Sequence, residues 1–193
     1  MALWGITDAD EAKPKWLTTA QKKEVFANNS GWVVEAGSTQ TGNDNTDAQP
    51  EVLCCVGDLA TGLGAADITE IEFITTAFDK SDGGNIDVRV RFNEQVTVNT
   101  SGGTPTLTIT NDTPSRNLTA TYLSGSTTNE LIFRKTIAAA NAATNAGDVL
   151  SIAANAMALA SGTIKDTADG STNATITNSG AIGTAAGTIT VAA

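Results

Sequence analysis

The stretch "NIDVRVRFN", residues 85–93, alternates without a break. Ile86, Val88, Val90 and Phe92 fall on one side of an extended chain, and Asp87, Arg89 and Arg91 on the other. Successive side chains of a strand point to opposite faces, so four apolar residues at period two predict a half-buried β-strand. A helix would scatter the same residues around its circumference.

Working outward, the pattern repeats. "ITEIEFIT" precedes it, and "QVTVNT", "TPTLTITN", "NLTATYLSG", "NELIFRKTI" and "DVLSIAA" follow, with Gly, Asn, Pro or Ser at the joints. Short strands at spacings of roughly ten residues, with no convincing helical stretch, predict an all-β chain built as a β-sandwich. The hardest segment is "SIAANAMALASGTIKD", 151–166, because alanine is the best helix former. Read as a helix, however, Ile152, Met157, Leu159 and Ile164 share no stripe. Read as strands, they resume the alternation on either side of "AAN" and of the Ser161-Gly162 turn. The tail ends in "TITVAA", which either closes the sandwich as its last strand, the reading preferred here, or adds to a neighbouring chain's sheet.

The first third is written differently. All three tryptophans and both cysteines lie before residue 66. Residues 1–17 have no period and read as an extended arm that orders against a partner, with Trp4 and Trp16 as its anchors. "LTTAQKKEVFANNSGW" predicts a short amphipathic segment that starts at a Thr cap and stops at Asn-Asn-Ser-Gly. "GWVVEAG" and "PEVLCCVG" flank the polar loop "STQTGNDNTDAQ" and predict a long-tipped hairpin. The division expected is an arm at 1–17, a small module with a β-hairpin at 18–60, a glycine-rich linker at 61–67 and the sandwich at 68–193.

Composition narrows the chemistry. The net charge is −10, which repels phosphate backbones and argues against nucleic acid as the partner. No histidine is present, so a Ser-His-Asp arrangement is impossible and the commonest general base is missing. Cys54 and Cys55 are adjacent; neighbours on a strand make a poor disulfide, and they lack the spacing of a zinc site. The N-terminus lacks the basic start and apolar run of a secretory leader, and no stretch approaches the roughly 20 apolar residues that cross a bilayer. The expectation is a non-enzymatic protein made in a cytoplasm, with no membrane partner. Glu70 and Glu72 share one face of a strand and read as its solvated side. "DKSDGGN" and "KDTADGSTN" gather oxygen ligands near glycines, as calcium turns do, without the full EF-hand spacing. They read first as polar hairpin loops. The second reading is a structural calcium site using Asp79 and Asp82, or Asp166 and Asp169.

Over residues 68–178 the chain resembles a bacterial immunoglobulin-like repeat of large adhesins and other surface proteins. The resemblance rests on "GGNIDVRVRFNEQVTVNTSGGTPTLTI" (83–109), "ATYLSGSTTNELIF" (120–133) and "DVLSIAANAMALASGTIKD" (148–166). The chain departs from that family at the longer link "AAANAATNAGD" and at "DTADGSTN", where the family reads "DAAGN". "KPKWLTTAQKKEVFANNSGWVVEAG" followed by "EVLCCVGDL" is similar to N-terminal modules of structural proteins from tailed phages of marine bacteria. Together the resemblances imply an immunoglobulin-like sandwich carried on a virion. They imply a capsid decoration or cement protein on the outer surface of the particle, synthesised in the host cytoplasm. It would dock on the major capsid protein or another virion protein through Trp4, Trp16, Leu17 and Trp32, and could form homo-oligomers. The alternative is a tail-fibre or baseplate adhesin that binds host-surface glycans. Against it, the sandwich offers only Phe73, Phe78, Phe92, Tyr122 and Phe133 as aromatics, most at core-phase positions.

Overall fold

The alternation at 85–93 is realised in a strand longer than itself. The computed structural model describes residues 13–193, and in it Gly84–Asn99 is one continuous strand, β6 in chain order. The sequence reading breaks this strand at the polar residues Asn93, Glu94 and Gln95. At Asn93 the break is absent because its polar groups find partners in place. Asn93 donates its amide to the Asp67 carbonyl at 3.0 Å, and its Oδ1 accepts the Asp67 amide at 2.6 Å. With its polar groups answered, Asn93 stays extended.

Thirteen strands and three short helices are formed by the described residues, so the chain is all-β as expected. Before β6 come β1 (Val25–Asn28), β2 (Gly31–Val34), β3 (Glu51–Cys55), β4 (Ile68–Phe73) and β5 (Phe78–Asp79). After it come β7 (Thr106–Asn111), β8 (Leu118–Ser124), β9 (Thr128–Ile137) and β10 (Val149–Ser151). The last three are β11 (Met157–Ala158), β12 (Thr163–Asp166) and β13 (Ile189–Ala192). The hydrogen-bonded order is β3-β2-β1-β6-β9-β8-β7-β10-β13-β5, with β4 and β12 also on β6 and β11 on β7. The alanine-rich 151–166 stretch is therefore extended, as its alternation predicts. The tail strand β13 lies inside its own sheet, antiparallel to β10 and parallel to β5.

Two cores follow from this order. The larger is lined by the apolar face of β6, with Ile86, Val88 and Val90 fully buried, against Leu131 and Phe133 of β9, Leu107 and Ile109 of β7, and Ile189 and Val191 of β13. A helix the sequence reading omits, α3 (Gly180–Ala185), packs on β4. Two glycines make "SGAIGTA" a weak helix by propensity. One is there for contact: a Cβ on Gly183 would lie 2.4 Å from the Ile152 carbonyl oxygen.

The smaller core joins Leu17, Val25, Ala27, Trp32, Val34, Leu59 and Leu63. Its first element, α1 (Thr19–Lys23), is capped as predicted: Thr18 Oγ1 accepts the Gln21 amide, and the Gln21 side chain accepts the Thr18 amide. The amphipathic segment does not continue past it, however. Val25 and Phe26 are strand formers, and Val25–Asn28 turns back through Asn29-Ser30 to pair with Gly31–Val34. At Gly31 (φ +133°) a Cβ would sit 2.0 Å from the Cys54 carbonyl oxygen, so the hairpin and β3 close only on glycine. The β2–β3 hairpin forms as predicted, and both cysteines are free thiols.

The glycine-rich stretch read as a linker is instead packed structure. α2 (Leu59–Leu63) buries Leu59, Ala60 and Leu63, and Ala66 belongs to the larger core. Glycine count alone misreads it, because Leu59 and Leu63 are spaced at i, i+4 on one helix face. Leu63→Ala is expected to cost about 2–5 kcal/mol in thermal or urea unfolding. A linker residue would change stability by less than about 0.5 kcal/mol.

Candidate functional site

The polar face of β6 is the most charged feature of the fold. Antiparallel register places Asp87 opposite Arg134 and Arg91 opposite Glu130 on β9, while Arg89 and Arg91 face Glu72 and Glu70 on β4. Such opposite-charge pairs are what cross-strand neighbours favour. Arg134 grips Asp87 through two parallel bonds of 2.7 and 2.6 Å at the sheet surface.

Arg91 is different, because only 5 % of it reaches solvent. Its guanidinium donates Nε to Glu130 at 2.5 Å, Nη1 to Glu70 at 3.0 Å and to Glu72 at 3.2 Å, and Nη2 to Glu35 at 3.1 Å. Arg89 also bridges Glu72 and Glu130, and Lys23 of α1 closes onto Glu70. Glu35 follows β2, so this network ties the N-terminal unit to the larger one. The reading of Glu70 and Glu72 as a solvated face fails for that reason: the N-terminal unit covers them, and Glu70 is buried.

Four carboxylates face three cations in this cluster, and the excess negative charge is relieved by a proton held on Glu35. Burial, then the neighbouring Glu130 carboxylate, push its carboxyl up to about 7 against the pull of Arg91. Asn129 Nδ2 donates to its other oxygen at 3.4 Å. Glu35, Arg89, Arg91, Asn129 and Glu130 line one side of a cleft of about 650 Å³, opposite Ser38, Gln49 and Pro50.

A second concavity of about 390 Å³ lies on the far side of α1. Its floor is nearly all apolar, from Ala181, Ile182 and Ala185 of α3, and its rim carries Lys13, Lys22 and Lys23. Trp16, 58 % exposed, lies in the chain between two residues that line this groove, Lys13 and Thr19.

The residues expected to dock divide accordingly. Trp16 is on the surface. Trp32 (0 % exposed) and Leu17 (8 %) are core residues of the N-terminal unit and present nothing to a partner. Trp32 sits in a β-rich run whose two faces are both covered, and alternation alone does not reveal that. Trp4 lies outside the described residues.

The carboxylates expected to hold calcium are occupied by their own turns. Asp79 Oδ1 accepts the Ser81 amide at 2.7 Å, Asp166 Oδ1 the Ala168 amide at 2.6 Å, and Asp169 Oδ1 the Ser171 and Thr172 amides at 2.7 Å. The Thr172 hydroxyl and these amides hold the Asp169 carboxyl down at about 2. Asp82 is exposed. Among the described residues, no group of three or more His, Cys, Asp or Glu side chains is placed to hold a metal ion. No helix among them is long and apolar enough to cross a membrane.

Against known proteins, the chain matches no family model, no curated protein and no solved structure.

Removing Arg91 would leave four carboxylates crowded at a buried seam. Arg91→Ala is expected to cost about 3–5 kcal/mol in urea unfolding. Arg134→Ala, at a solvated pair, should cost much less. Glu35 makes a separate, signed contribution. Between about pH 4.5 and about 7 the folded chain keeps a proton that the unfolded chain has released, so stability falls as pH rises across that window. Glu35→Gln should flatten that fall in thermal unfolding followed from pH 4 to 8.

Proposed function

We propose that this chain is a non-enzymatic virion structural protein, a capsid decoration or cement protein. It docks on the shell through its N-terminal unit and projects the larger unit, an immunoglobulin-like β-sandwich, outward. The supporting observation is the charge and polarity of one face. Residues 13–23 carry Lys13, Lys15, Lys22 and Lys23 and no acidic residue, in a chain whose net charge is −10. Trp16 and the apolar groove lie within this basic patch. An exposed aromatic among lysines suits an acidic partner surface: the ring supplies buried area and the lysines steer the encounter. Many copies on a lattice need only modest affinity each.

The remaining features fit a structural role better than a chemical one. The carboxylates of the larger cleft are engaged in ion pairs that join the two units, and no histidine is available to act with them. The adhesin reading draws less support. Glycan sites present exposed rings, whereas Phe78, Phe92 and Phe133 are buried, and Phe73 and Tyr122 pack against the core.

The test is quantitative mass spectrometry of purified virions from the phage that encodes the chain. Hundreds of copies relative to the major capsid protein are expected, and a dozen or none would overturn the reading. Particle binding by recombinant protein should weaken at least about tenfold for Trp16→Ala combined with Lys22→Glu, and should fall with added salt. Circular dichroism of the variant should match the parent, because neither side chain is in a core.

A further inference from the structure

The apolar groove beside α1 is shaped by elements far apart in sequence. Its floor is Ala181, Ile182 and Ala185 of α3, and Thr69 and Glu70 of β4 lie with them. Ala181 and Ala185 are exposed, so their methyl groups face the groove rather than a core, and such small side chains leave depth for a larger one. Among the described residues that line it, the one carboxylate, Glu70, is already answered by Arg91 at 3.0 Å and by Lys23. Lys22 and Lys23 stand at the rim. This face suits a segment that brings large apolar side chains together with carboxylates.

The chain carries such a segment at the edge of the groove. Residues 1–12, "MALWGITDADEA", lie outside the described residues. Leu3, Trp4 and Ile6 are the large apolar residues of its first half; Asp8, Asp10 and Glu11 follow, and no Lys or Arg is among the twelve. The segment runs directly into Lys13, which lines the groove. Trp4 precedes Lys13 by nine positions. An extended chain spans up to about 3.3–3.6 Å per residue, so the segment is long enough to return over the groove it leaves. A tether this short sets a local concentration of about millimolar, which favours the chain's own segment over that of a second copy. Two copies, each at a net charge of −10, also repel.

We propose that the groove between α1 and α3 is the docking site of the chain's own residues 1–12, with Leu3, Trp4 and Ile6 on the apolar floor and Asp8, Asp10 and Glu11 against Lys22 and Lys23. The apolar residues supply the buried area, and the carboxylates fix which way the segment lies. The contact covers the floor of the docking face before a partner arrives. That last consequence rests on the docking reading above, whereas the contact itself does not.

The test is acrylamide quenching of tryptophan fluorescence in the full chain carrying Trp16→Phe. Trp32 is 0 % exposed, so quenching then reports Trp4. It should be at least about threefold weaker than in a synthetic peptide of residues 1–12, because the tether keeps the groove filled. Ala185→Glu fills the floor and sets a like charge against the segment, and should raise quenching nearly to the peptide value. If circular dichroism shows that this variant unfolds, Asp8→Lys with Asp10→Lys decides instead, since it alters none of the described residues and should expose Trp4 equally. Trp4 as quenchable in the parent as in the peptide would overturn the proposal. So would shielding that survives these substitutions, which places Trp4 elsewhere. Shielding that disappears on dilution, together with a dimer in sedimentation, would assign the groove to a second copy and overturn it too. None of these outcomes involves the particle, so they leave the docking reading to its own test.

Discussion

A guanidinium that cannot reach water governs this structure. Arg91 sits in the middle of β6 with four carboxylates around it, one from the N-terminal unit and three from β4 and β9. A buried charge is tolerated only when nearly every donor is answered, which forces three separate segments to converge on one side chain. The convergence fixes how β4 and β9 flank β6 and where the turn after β2 must lie. The N-terminal unit is therefore part of the body, held by polar groups that leave little geometric freedom.

The seam so formed carries more carboxylates than cations. On one side of β6 the surplus of carboxylates over cations leaves Glu35 near neutrality in its titration. On the other, Glu94 and Asp166 are both buried. Apolar seams hold across the pH range, whereas a seam with a carboxyl kept protonated by burial loses stability as pH rises through its folded-state value.

The basic face around α1 is built by a different logic. α1 is short, capped at Thr18 and anchored through Leu17, so its lysines and the preceding Trp16 are presented on a rigid support. The groove floor comes from α3, more than 150 residues away in sequence. The site exists only because the tail returns over β4.

Much of this was legible in the residues. Alternation in "NIDVRVRFN" determined the strand and its charged face, and the breaks between later runs located most of the other strands. Thr18 and Gln21 marked the start of α1, and Asn29-Ser30-Gly31 the turn after β1. These are local facts, set by backbone sterics, capping and side-chain period. Tertiary structure alone decided which polar residues are buried. The charge that surrounds Arg91 comes from segments up to 56 residues distant, and Asp166 lies 72 residues from Glu94. For the same reason Trp32, aromatic and near the N-terminus, is core and Trp16 is surface. A pattern of period two states which side chains share a face; what covers that face depends on where the rest of the chain comes to lie.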